Sequence, residues 1–118
     1  MTWEEQERRR YYEDLELNGN YKSFDYRGQF CEIKRDNTLH YLCGYITVAS
    51  NDLLSSFSDL ENKWNITFHS GNKIGIDCAH GHCDFIPNHY INMPNTTYKN
   101  FDWVEAELKR IVDDICEN

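Results

Sequence analysis

The chain has 118 residues, with 20 acidic against 12 basic side chains and a formal net charge of −8. That length suits one domain with one core and leaves no room for two, so a single domain over 1–118 is expected. The negative charge repels a phosphate backbone at long range, which excludes a broad surface for long nucleic acid and leaves only a local pocket for a small anion.

The opening stretch TWEEQERRRYYEDLEL, residues 2–17, reads as a helix. Thr2 and Glu5 have the spacing of a capping box, in which each side chain satisfies the other's exposed backbone N–H. Glu4 with Arg8 and Glu5 with Arg9 stand acid first and four apart, the favourable order for helical ion pairs. Trp3, Tyr11, Tyr12 and Leu15 make a thin apolar stripe, which predicts a helix lying against the body of the protein or against another copy of it. Asn18-Gly19-Asn20 ends it. The N-terminus is charged with no apolar stretch behind it, and no apolar run of about 18 residues occurs anywhere. No membrane partner is expected, and the expected location is cytoplasmic.

From Tyr26 to Val48 two β-rich runs flank the turn residues Asp36, Asn37 and Thr38, a hairpin signal. Residues 49–62 carry Leu53, Leu54, Phe57 and Leu60 at near-helical spacing and read as a loop or one short helix. WNITF (64–68), the turn HSGN (69–72) and KIGIDC (73–78) form a second hairpin signal, with Gly71 and Asn72 suited to positive φ. Beyond Cys78, Pro87 and Pro94 mark an irregular loop of about twenty residues, a length that in a small domain usually carries function. In the last segment Phe101, Val104, Leu108, Ile111, Val112 and Ile115 share one helical face. The expected fold is α+β: an antiparallel sheet of about four strands, the C-terminal helix packed on one face, and the N-terminal helix peripheral or exchanged with a neighbour.

The chemistry concentrates in IGIDCAHGHCDFIPNHY, residues 74–90. Cys78, His80, His82, Cys83 and His89 are zinc-type ligands, but Cys78 and Cys83 lack the usual paired spacing and no second knuckle exists. No stoichiometric zinc and no cofactor are expected, and Cys78, directly after a strand, fits core packing. A cysteine nucleophile with a histidine base draws little support from local crowding, because such pairs are neighbours in space rather than in sequence. No G-x-S-x-G, Walker A or G-x-G-x-x-G is present. The plain alternative is a solvated connection with exposed histidines. Most of the three Trp, eight Tyr and six Phe are expected to pack in the core or on helices. Trp64 and Tyr45 stand near Asn65, Thr67 and Lys73, a mixture able to stack a base, bond its edges and offset phosphate charge.

YRGQFCEI, HYLCGYITV, WNITF, IGIDCAH with Asp84 close behind, and YKNFDWVEAELKRI resemble a family of small proteins of tailed bacteriophages. Its pattern runs Y-x-G, C-G-Y-V-x-V, H-G-G-L-T-F, G-F-D-C-A-H-x-G-D and a final Y-R-x-L-E-Y-V helix, and the match covers roughly residues 26–115. The chain departs from it at Lys63-Trp64-Asn65, where the family has H-G-G, and at the added His82-Cys83. The family in turn looks similar to anti-CBASS sponges that sequester cyclic dinucleotides made in bacterial antiphage signalling. That resemblance implies a homo-oligomer, dimer or tetramer, that binds a small nucleotide signal such as cGAMP in the host cytoplasm without cleaving it. It singles out Tyr45, Thr67, Asp77, His80 and Asp84, with Tyr98 and Lys99. Asp77 and Asp84 would accept from a base, His80 would donate to a phosphate, Lys99 and Arg27 would pair with one, and Trp64 and Tyr45 would stack. Two other classes stay open: a metal-dependent nucleotide hydrolase using the Cys/His/Asp loop, and an acidic inhibitor that binds a host protein.

Overall fold

The computed structural model describes residues 1–54 and 57–117. Helix α1 spans Trp3–Asn18 and begins as its sequence requires, with Thr2 Oγ1 accepting from the Glu5 N–H at 3.1 Å. Gly19, at φ 68°, ends it with its N–H on the Leu15 carbonyl. Five strands follow: β1 (Tyr21–Tyr26), β2 (Gln29–Arg35), β3 (Leu42–Thr47), β4 (Phe68–Ser70) and β5 (Lys73–Asp77). A short 3-10 turn, Asn51–Leu54, and helix α2, Phe57–Trp64, lie between β3 and β4, and α3 runs Phe101–Glu117. The sheet is antiparallel throughout, in the order β1-β2-β3-β5-β4.

The α+β plan with its C-terminal helix across the sheet is as expected, and two details differ. An extra strand precedes the first expected β-rich stretch, because Arg27 (φ 50°) and Gly28 (φ 82°) form a two-residue turn that folds β1 onto β2. Positive φ at both central residues matches the right-handed twist of the flanking strands. The strand expected at 64–68 starts only at Phe68. Trp64 is the last residue of α2, Asn65 takes φ 52°, and the Thr67 N–H on the Gly75 carbonyl leads into the pairing.

Alternation decides what is buried. Cys31 and Ile33 of β2, Leu42 and Ile46 of β3, and Ile74 and Ile76 of β5 face α3, which answers with the six apolar residues of its stripe. Gly44 sets how closely helix and sheet meet: a Cβ there would stand 2.9 Å from Val104 Cγ1 and 3.0 Å from Leu108 Cδ2. The other face of the sheet presents Phe30, Glu32, Lys34, Tyr45 and Lys73, exposed or half-buried.

Helix α1 packs on its own chain. Tyr11 meets Phe85 and Tyr98 in a second, smaller core with Trp3 and Leu15 alongside. Trp3 Nε1 donates to the Thr96 carbonyl at 2.7 Å, Arg8 Nη1 to the Pro87 carbonyl at 2.8 Å, and the Tyr98 N–H to Glu7 Oε1 at 2.8 Å. At the centre Asp14, 7% exposed, accepts from the Tyr98 hydroxyl at 2.6 Å and the Phe101 N–H at 3.2 Å. Arg35 Nη2 lies 3.6 Å from the same carboxylate, and Arg35 also donates to the carbonyls of Gly19 and His40. Replacing one member of a buried, hydrogen-bonded ion pair strands the other. Asp14→Ala is therefore expected to destabilise the fold by about 3–5 kcal/mol in urea denaturation, well above an exposed substitution such as Glu13→Ala.

Candidate binding pocket

Where β5 ends, the chain turns sharply and its polar side chains hold the turn together. Asp77 Oδ1 accepts from the Ala79 N–H at 3.0 Å, and Asp77 Oδ2 accepts from Thr67 Oγ1 at 2.8 Å. The N–H groups of Cys83 and Asp84 both reach the His80 carbonyl, closing residues 80–84 into one compact turn. Asp84 is 4% exposed and serves as the hub of that turn. Its Oδ2 accepts from the His80 N–H at 3.0 Å and faces His80 Nδ1 at 3.1 Å, while its Oδ1 lies 3.1 Å from Lys99 Nζ. A short parallel pairing of residues 83–85 with Thr97 brings Lys99 into place.

These groups wall a cavity of about 370 Å³. Trp64, Asp77, His80, Asp84 and Lys99, all anticipated from sequence, line it. Thr67 stands behind Asp77 and acts on the cavity through it. The other three lie elsewhere. Tyr45 is on the uncovered face of the sheet, its ring against Gly75, with Phe68 edge-on at 5.6 Å and Lys73 Nζ 4.9 Å from its centroid. Tyr98 is 1% exposed and is a strut between Asp14 and Arg35. Arg27 pairs with Asp113 at 2.9 Å and Glu117 at 3.6 Å, toward the far end of α3. At about 1.5 Å per residue, Asp113 is roughly 15 Å along the helix from Trp103.

Asn65, Ile76, His82 and Cys83 line it too, and so do Trp103 and Glu107, one turn apart on α3, which were not anticipated as site residues. A signal for them existed: both stand off the apolar stripe, and a tryptophan there has no core to enter. Trp103 is 40% exposed, with Lys99 Nζ 5.6 Å from its ring centroid. Among the charged lining residues, Asp77, Asp84 and Glu107 outnumber Lys99, so the cavity is rich in acceptors. Glu107 is offset by Arg110 at 2.7 Å and Asp84 by Lys99, whereas Asp77 has only neutral donors against it among the described residues.

Four of the thiols are shifted away from activation. Cys78 belongs to the main core, where burial pushes its pKa well up, as its place after a strand suggests. Cys83 is exposed, and partial desolvation and the neighbouring Asp84 carboxylate still raise it. Burial pushes Cys31 and Cys43 up to about 11. A nucleophilic cysteine needs the opposite shift. Donor atoms of His80, Cys83 and Asp84 lie within 4.8 Å of one another, a set that could hold a metal ion. His89 turns away, its Nδ1 on the Ile91 carbonyl.

Comparison of the chain with protein-family models, curated proteins and solved structures finds no match in any of the three. Among the described residues no helix is long and apolar enough to cross a membrane.

The thiol shifts carry a pH signature. Below pH about 9, Cys31 and Cys43 hold their protons both folded and unfolded. Above it the unfolded thiols ionise first, so the folded state binds more protons and stability falls as pH rises toward about 11. Tyr45, pushed up to about 12 by burial, extends the fall beyond pH 10. Urea denaturation under reducing conditions should show this alkaline loss, and Cys31→Ala/Cys43→Ala should make it shallower between pH about 9 and about 11, with Cys78 and Tyr45 keeping the remainder.

Proposed function

We propose that the protein binds a small nucleotide signal, a cyclic dinucleotide such as cGAMP, and sequesters it without cleaving it. The observation that carries this reading is the cavity itself. Two indole rings, Trp64 and Trp103, stand with fixed acceptors and one lysine around about 370 Å³, a size within the range of small-molecule sites. Rings stack a base, carboxylates accept from its edge, and Lys99 and His80 serve a phosphate. Because the acids outnumber the cation, the base is the part that enters, and the phosphates stay toward the mouth. A ligand with two bases then calls for two copies of the chain, one cavity for each base, which favours a homo-oligomer, dimer or tetramer. The motif resemblance to small phage proteins adds the setting: an anti-defence sponge in the host cytoplasm. To compete with a host receptor it would need nanomolar binding, on the order of 12 kcal/mol.

Calorimetry against a panel of cyclic and linear nucleotides, followed by denaturation and recovery of the ligand, tests this. Intact ligand is expected. Converted ligand would make the protein an enzyme, and silence across the panel would reject the nucleotide reading. Trp103→Ala should weaken binding about tenfold or more through lost stacking, and His80→Ala by a similar factor, with thermal stability little changed.

The convergence of His80, Cys83 and Asp84 favours one second reading, a zinc-dependent nucleotide hydrolase with an open coordination position. Elemental analysis of the purified protein decides between the two. Under the sponge reading zinc is well below one per chain. One zinc per chain, lost together with hydrolysis in Cys83→Ser, would establish the second.

A further inference from the structure

We propose that Asp77 makes the cavity selective for guanine, by accepting the base's N1–H and one N2–H on its two carboxylate oxygens. The inference rests on the nucleotide reading and specifies the base. A carboxylate offers acceptors only, and two side by side. Guanine alone among the common bases presents two adjacent donors on its pairing edge. Adenine and cytosine set an amine beside a ring acceptor, and uracil flanks its one N–H with carbonyls. A carboxylate set square to the base therefore bonds guanine twice, and sets an acceptor against an acceptor with each of the others.

Of the three carboxylates lining the cavity, Asp77 is the one suited to this. Asp84 is held by His80 and Lys99, and Glu107 faces Arg110. Asp77 has a neutral donor on each oxygen, Ala79 N–H at 3.0 Å on Oδ1 and Thr67 Oγ1 at 2.8 Å on Oδ2. The two bonds fix the carboxylate plane before any ligand arrives and leave each oxygen a second lone pair. Its charge is not cancelled by an ion pair among the described residues, so a ligand's N–H groups meet a full acceptor. Trp64 and Trp103 line the same cavity and supply stacking surface.

The same contacts make Asp77→Asn a sharp test. The Ala79 N–H still requires an acceptor, which fixes the amide oxygen on that side. The Thr67 hydroxyl can reverse and accept from the amide nitrogen. The variant thus shows a donor beside an acceptor, the complement of adenine's edge, with its local bonds preserved. Full-length protein is titrated calorimetrically with cyclic di-GMP, cyclic di-AMP and, as a non-nucleotide carrying two parallel N–H donors, N-acetylarginine amide. Wild type is expected to prefer cyclic di-GMP by about tenfold or more, and Asp77→Asn to lose or invert that preference. Equal binding of the two cyclic dinucleotides, or a preference unchanged in Asp77→Asn, overturns the guanine assignment and leaves the nucleotide reading standing. Binding of the arginine amide with neither cyclic dinucleotide overturns both. If Asp77→Asn loses its cooperative unfolding transition, Thr67→Val replaces it: the carboxylate stays but keeps only the Ala79 bond, its plane is less firmly set, and the guanine preference should shrink severalfold. An unchanged preference in Thr67→Val counts against the assignment.

Discussion

A carboxylate shielded from water is tolerable only where donors surround it, and Asp14 gathers its donors from three parts of the chain. Asn18 comes from its own helix, Arg35 from β2, and Tyr98 and the Phe101 N–H from the segment that opens α3. The carboxylate also sits at the N-terminus of α3, where the helix dipole favours negative charge. Satisfying this one group sets the position of α1 relative to the sheet and the point at which α3 begins. Lys99 and Trp103 lie on either side of Phe101, so the same constraint determines where the cavity wall stands.

Much of the fold was legible because periodicity and caps are local. The α3 stripe from Phe101 to Ile115 and the Thr2–Glu5 cap of α1 need only neighbouring residues to be read. β1 was missed because YKSFDY lies at a sheet edge, exposed on one face and only half-buried on the other, where Lys22 interrupts the apolar row of Phe24 and Tyr26. Its turn at Arg27-Gly28 was hidden inside a run that looked continuous. WNITF shows the opposite error, in which β-favouring residues misled: Trp64 is drawn into α2, its Nε1 donating to Asp114 of α3. That tertiary bond is invisible in sequence.

At the cavity, the expected residues that are close in sequence come together, and the neighbours joined through space were not legible. His80 and Asp84 share one turn, and Asp77 precedes it. Tyr98 and Lys99 are consecutive yet have opposite fates, one a buried strut and the other a cavity wall, because Arg35 and Asp14 claim the tyrosine. The cation expected from Arg27 is bound to α3 instead, and without it the charged residues lining the cavity are mostly acceptors. Net negative charge over the whole chain and an acceptor-rich cavity thus point the same way.

The clamp of α1 on the irregular loop also sets an order of events in folding. Trp3 reaches Thr96, Arg10 reaches Tyr98, and Arg8 reaches Pro87, contacts 93, 88 and 79 residues apart along the chain. Closing so long a loop has an entropic cost that grows with its length, and the contacts return nothing until most of the chain exists. On a ribosome the β1–β2–β3 meander can pair while the segment after Cys78 is still being made. The cavity, by contrast, must wait for Lys99, Trp103 and the helix that carries them. The cavity walls are then the last part of the fold to assemble, and a product cut short before α3 would lack both them and the helix that covers the sheet's apolar face.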